Sequence, residues 1–186
     1  MKGKTKMKRN NTKIRAFCAT ALTIIGIASA SAGDNILENA EFADQGKFWG
    51  IRYSKIEESI QEENGKKAVK MEMHALADNR GNNVFIQNVR NPKGGVYVYS
   101  AEVAPSRKFA ILQLLLIYRN DKGKDVYQFV RMKPAEYPEP GKWTRLIGEV
   151  NLPEGRKSVA FVVEIRDPKP EGFVLIRNPM LNLKEE

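Results

Sequence analysis

From Val69 to Leu183 the chain is a succession of short segments in which apolar and other side chains alternate, each closed by Gly, Pro, Asn or Asp. This rhythm limits the fold more than any single motif. "VKMEMHAL" (69–76) sets Val69, Met71, Met73 and Ala75 against Lys70, Glu72, His74 and Leu76. "NVFIQNV" (83–89) ends in the turn "NPKGG", and "VYVYSAEV" (96–103) gathers Tyr97, Tyr99, Ala101 and Val103 on one face. "FAILQLLLIYRNDKGKDVYQFVRM" (109–132) reads as a hairpin about "NDKGK", where Asn, Asp and Gly favour a tight reversal. "KWTRLIGEVNLP" (142–153), "SVAFVVEIRD" (158–167) and "FVLIRNPMLNL" (173–183) supply further strands. Strands separated by turns, with no sustained helical period, predict an all-β fold, a two-sheet antiparallel β-sandwich with helix as a minor component. The charged stretch Glu57 to Lys70, with Gly65 in its middle, is expected to be a solvated hairpin or loop.

Upstream, residues 1–15 hold Lys2, Lys4, Lys6, Lys8, Arg9, Lys13 and Arg15 and no acid, Ala16 to Ala28 is almost wholly apolar, and Ala30-Ser31-Ala32 has small residues at cleavage spacing. Residues 1–32 are expected to be a secretory signal peptide, cut near Ala32-Gly33, with residues 33–186 as one domain delivered to the periplasm or secreted. The apolar run is shorter than the about 20 residues that span a bilayer, so the exported domain is not expected to keep a membrane anchor. Cys18 lies inside that run in the wrong context for lipidation. Removing the leader takes seven of the 31 Lys and Arg and none of the 22 Asp and Glu, leaving 24 against 22. The basic pI belongs largely to the leader, and a nucleic-acid partner loses its main support. The exported part also has no cysteine, so it must hold together by packing, which a chain of this size does by burying roughly 68–70% of its unfolded surface.

The order of these signals resembles that of the jelly-roll carbohydrate-binding modules attached to xylanases and other glycanases, which have a galactose-binding-like fold. The resemblance rests on Asn35-Ile36-Leu37-Glu38-Asn39-Ala40-Glu41-Phe42-Ala43 with Trp49, on Gln87, Gly95 and Tyr97-Val98-Tyr99-Ser100, and on Trp143-Thr144 and Pro153 before the last strand. It spans residues 35–183 and implies non-catalytic binding of a polysaccharide or cell-surface glycan, across the concave face of one sheet or on loops at the sandwich edge. Such modules often hold a structural calcium between the opening stretch and the last strand. Here Ala43 replaces the acid after Phe, and Arg177 falls at or beside the position of the last-strand Asp, so no cofactor is expected. Glu38, Glu41 and Asp44 remain as other oxygen donors. Packing around Phe42 and an ion pair to Arg177 are expected to close that end instead.

Sugar rings call for aromatic faces and planar polar groups. If Leu112, Leu114, Leu116 and Tyr118 fill the core, Gln113, Leu115, Ile117 and Arg119 point away from it; if Val159, Phe161, Val163 and Ile165 are inside, Glu164 and Arg166 are outside. On the returning strand either Val126, Gln128, Val130 and Met132 or Tyr127, Phe129 and Arg131 face out, and the second set is preferred. The candidate ligand-binding residues are therefore Tyr53, Glu102, Gln113, Tyr127, Arg131, Glu164 and Arg166. Against this, exposed ion-pair rows such as Glu102, Glu164 and Arg166 are ordinary on antiparallel sheets, and Trp49 and Trp143 are read as structural. Leu115 and Ile117 make 109–118 apolar on both phases, which requires cover from another segment, a ligand or a second copy of the chain in a homodimer. Catalysis is not expected: any Ser-His-Asp or Cys-His arrangement would have to be built on the single His74, and no Gly-rich phosphate loop is present. The alternative to sugar binding is a protein-interaction or envelope-assembly module of the same fold.

Overall fold

A computed structural model of the protein describes residues 34–184 apart from Asn64 and Asn79; the expected leader, 1–32, lies outside the described residues. The chain folds into the antiparallel two-sheet sandwich that the alternation predicts. Its strands are β1 (Gly50–Ile51), β2 (Ile60–Glu63), β3 (Lys66–Glu72), β4 (His74–Ala75), β5 (Gly81–Arg90), β6 (Gly95–Pro105), β7 (Ile111–Arg119), β8 (Asp125–Arg131), β9 (Thr144–Leu152), β10 (Ser158–Asp167) and β11 (Phe173–Leu183). Among the described residues, helix is confined to one turn at Ile56–Ser59 and a 3₁₀ turn at Pro134–Glu136. One sheet runs β1-β5-β10-β7-β8, with β4 added beside β5; the other runs β2-β3-β11-β6-β9.

Local chemistry sets the turns. Asn120 accepts the amides of Lys122 and Lys124 on its side-chain oxygen, both at 3.0 Å, and Gly123 takes φ +71°, so "NDKGK" closes the β7–β8 hairpin. The charged stretch around Gly65 is the β2–β3 hairpin. One segment departs from expectation. The alternation over 69–76 breaks at Met73, whose amide donates to the Gly172 carbonyl at 2.9 Å, and the chain crosses there from β3 in one sheet to β4 in the other. Periodicity cannot register this, because the residue types go on alternating along the sequence although the chain has changed sheet.

The core lies between the sheets. Leu112, Leu114 and Leu116 of β7 and Val159, Phe161, Val163 and Ile165 of β10 face Tyr97, Tyr99, Ala101 and Val103 of β6, all at 2% exposure or less. Tyr118 is only half-buried. Burial raises the Tyr99 phenol to about 12. A raised folded pKa means the neutral phenol's contribution is complete below the unfolded value near 10 and is lost as pH rises through 12, in all roughly 2–3 kcal/mol. Chemical unfolding should therefore show stability falling between pH 10 and 12, and Tyr99→Phe should flatten that fall.

The opening segment is a run of turns, not a helix, with Asn39, Phe42, Gln45 and Phe48 at positive φ. It lies against the last strand: the Ile36 amide donates to the Leu181 carbonyl at 3.0 Å, and Asn35 Oδ1 accepts the Leu181 amide at 3.0 Å. Gln87, buried on β5, reciprocates both backbone groups of Glu38 at 2.8 Å. Trp49 Nε1 donates to the Glu38 and Asn39 carbonyls while its ring stacks on Phe85 at 4.4 Å, with Phe42 edge-on to both rings. The expected closure by Phe42 is present. Arg177 does not take part in it: its Nε pairs with Glu102 Oε2 at 2.6 Å, on the neighbouring strand β6.

Candidate functional site

β5, β10, β7 and β8 pair in continuous register, so residues of one phase align in rows across the outer face of their sheet. One row is Val84, Glu164, Gln113 and Arg131. The next is Ile86, Val162, Leu115 and Phe129, and beyond it Asn88, Ala160, Ile117 and Tyr127. At the opposite edge β1 sets Gly50 beside Ile86, and the Arg52 amide donates to the Val84 carbonyl at 3.1 Å, so Arg52 ends the polar row at the side away from Arg131. Apart from Asn88 and Ala160, the residues of these rows line a groove of about 370 Å³.

The groove has an apolar floor and an aromatic wall. Val84, Leu115 and Val162 pack into a patch of their own, at 4–6% exposure, on the face turned away from the core. Tyr127 and Phe129, at 55% and 54% exposure, rise from the edge strand β8. Through this surface runs a hydrogen-bonded relay. Gln113 Nε2 donates to Glu164 Oε2 at 2.6 Å, and the Gln113 amide oxygen accepts Arg131 Nε at 3.1 Å and Nη2 at 3.0 Å. Arg166 closes the far end on Glu164 Oε1, with Nε at 2.8 Å and Nη2 at 2.6 Å. Glu164 is only 6% exposed, and both of its oxygens are satisfied, as a buried carboxylate requires. The amide orientation of Gln113 is fixed by its neighbours, because its nitrogen must face an acceptor and its oxygen a donor. Next to Arg166 in register stands Asn82, whose buried Oδ1 has no hydrogen-bond partner among the described residues.

Of the residues expected from sequence, Gln113, Tyr127, Arg131, Glu164 and Arg166 share this face, and the second phase of β8 is the outward one. Tyr53 sits outside the groove lining, stacked on His74 at 4.2 Å, with the Arg52 guanidinium 5.9 Å from its ring. Glu102 must be reassigned: it lies on the other sheet, paired to Arg177, whose guanidinium is 3.9 Å from the Trp143 ring. Partial burial opposes ionisation of Glu102, yet hydrogen bonds from Arg177 and Asn178 and the Arg177 charge hold its carboxyl below the ordinary value. The alternation gives the face of a strand but not the sheet that receives it. Leu115, expected to need cover from another segment, a ligand or a second copy, is already buried by its neighbours on the same face, and Ile117 is half-buried. Sequence reading missed Arg52, Val84, Ile86 and Val162. The last three were legible in principle, since 83–89 and 158–165 are also apolar on both phases, whereas Arg52 follows a two-residue strand that carries no pattern.

A structural calcium does not fit the opening segment. Lys67 Nζ donates to the Phe42 and Ala43 carbonyls at 3.2 and 3.3 Å, so a positive charge stands against the backbone oxygens of this segment and would repel a divalent ion. A wider depression of about 1010 Å³ between the opening segment and the turn at Asn91–Lys93 exposes Phe48 but presents no row of side chains in strand register. The groove is the better organised of the two.

No protein-family model matches the chain, and no curated protein sequence matches it. Solved structures do. The CBM22-1 xylan-binding domain of Paenibacillus barcinonensis Xyn10C superposes with a TM-score of 0.56 at 18% identity, over 85% of this chain and 99% of that one. TmCBM61, solved in complex with β-1,4-galactotriose, gives 0.51 at 17% identity over 82% and 99%. The enzymatically active domain of bacteriophage CBA120 tailspike protein 4 gives 0.55 at 9% identity, and this chain spans only 21% of its length. The protein has the jelly-roll β-sandwich fold of carbohydrate-binding modules.

Proposed function

We infer that this is an exported, non-catalytic domain that binds a polysaccharide in the groove over β5, β10, β7 and β8. The observation that carries the reading is the combination of an exposed aromatic wall, Tyr127 and Phe129, with an apolar floor and a fixed row of planar polar groups, Gln113, Glu164 and Arg131. Apolar sugar faces match the first two, and sugar hydroxyls match the third. The fold it shares with xylan- and galactotriose-binding modules supports the same reading. So does the charge content of the groove: glycoside hydrolysis calls for paired carboxylates, and among the described residues Glu164 is the only carboxylate in the lining, with both oxygens committed. Burial of Leu115 within its own sheet leaves less apolar surface for a protein partner than the sequence suggested. The experiment is affinity electrophoresis of residues 33–186 through gels containing xylan, galactan, glucan and acidic polysaccharides. Retardation by at least one, with no release of reducing sugar, is the expected result; free migration through all of them would remove the reading.

A further inference from the structure

We propose that the glycan is a polyuronate, held through its carboxylates by Arg131 at one side of the groove and Arg52 at the other; this rests on the groove being a glycan site. Among the described residues, the charged side chains lining it are Arg52, Arg131, Arg166 and Glu164. Arg166 is spent on Glu164. Arg52 and Arg131 have no carboxylate within ion-pair distance among the described residues, so the groove carries two uncompensated guanidinium groups. Neutral sugars desolvate such groups without compensating them, whereas a carboxylate supplies both charge and paired acceptors.

Arg131 is set up for this. Gln113 Oε1 takes its Nε–H and one N–H of Nη2, and the guanidinium lies 5.4 Å from the Phe129 ring centroid. The side chain is thereby fixed before any ligand arrives, and the rest of its fork is left open for a carboxylate to accept bidentately. Gln113, held in turn by Glu164, is the positioning residue. All the cations in the lining are arginines, whose planar forks match carboxylates better than an ammonium does. Arg52 and Arg131 stand at the two ends of one row across β1, β5, β10, β7 and β8, four strand spacings of about 4.8 Å apart at the backbone. They therefore reach different sugars, which calls for repeated carboxylates along a chain and not a single acidic terminus.

The test compares de-esterified homogalacturonan and alginate with fully methyl-esterified homogalacturonan, neutral xylan and dextran sulfate in affinity gels, using wild type, Arg131→Gln, Arg52→Gln and a charge control, Arg145→Gln. Arg145 lies on the other sheet and donates to Ser100 Oγ. The expected result is binding to the polyuronates, lost on methyl esterification, weakened at least about tenfold in Arg131→Gln and in Arg52→Gln, and unchanged in Arg145→Gln. Two substitutions at opposite edges keep the test decisive if one of them disturbs folding. Equal or stronger binding to xylan or the methyl ester, unaffected by Arg131→Gln, overturns the polyuronate while leaving the glycan reading intact. Binding to dextran sulfate as strong as to the polyuronates, and equally reduced in Arg145→Gln, marks net-charge attraction and also overturns it. Free migration through every gel removes both readings.

Discussion

Phe85→Ala is expected to lower the unfolding free energy by roughly 3–5 kcal/mol, the largest single-residue loss in the domain. Phe85 is fully buried, stacks face to face on Trp49 at 4.4 Å and meets the edge of Phe42 at 5.9 Å. These rings join the opening segment to β5, in the sheet that carries the groove. That segment otherwise relies on turns with four non-glycine residues at positive φ, a conformation that persists only under tertiary constraint. Removing the ring leaves a cavity under Trp49 and releases the segment together with the β1 edge it feeds. Because Phe85 lies between Val84 and Ile86, the rows of the groove should loosen too, and ligand affinity should fall in parallel. Urea denaturation reads the stability, and Phe85→Leu, which refills much of the volume, should recover a good part of it. A loss under about 1 kcal/mol would mean that the aromatic cluster does not anchor the opening segment.

The double variant Tyr127→Ala, Phe129→Ala should behave in the opposite way, with a large loss of ligand binding and little change in stability. Both rings are more than half exposed on the edge strand β8, so their removal opens no cavity, and surface changes of this kind cost within about 0.5 kcal/mol. Burying two aromatic faces against sugar is worth on the order of 1.5–3 kcal/mol per ring, which scales to at least about a hundredfold loss for the pair. Titration calorimetry against the polysaccharide identified by gel retardation, with thermal unfolding of the same sample, separates the two effects. Retained affinity in a folded double variant would exclude this groove as the binding surface.

Much of the face was readable before folding, because a strand's alternation is a local property enforced by the pleat. Once Leu112, Leu114 and Leu116 are assigned to the core, Gln113 must lie on the other face, and the same step carries Glu164 and Arg166 outward from Val163 and Ile165. β8 was harder. Its inner phase is only half-buried at Val126 and Val130, and Gln128 is exposed, so the sequence offers two phases of comparable polarity, and register with β7 decides between them. Glu102 marks the limit of alternation: its outward phase is right, but β6 pairs with β9 and β11, which places the residue on the far side of the molecule from Glu164. Arg52 was invisible for a related reason, since it is held by a backbone hydrogen bond to Val84 some thirty residues along the chain.

The sequence by itself determined the class of fold, the turns and which side of each strand meets the core, because these follow from backbone geometry and from the period of the apolar residues. Tertiary structure alone decided which strands share a sheet, and with that which polar residues meet. Gln113, Glu164 and Arg131 are separated by up to 51 positions, and they form one relay only because β10, β7 and β8 pair in a register set by the packing of the two sheets. Tertiary structure also set Lys67 against the carbonyls of Phe42 and Ala43, a contact between distant segments whose only local signature is a lysine among other charged residues.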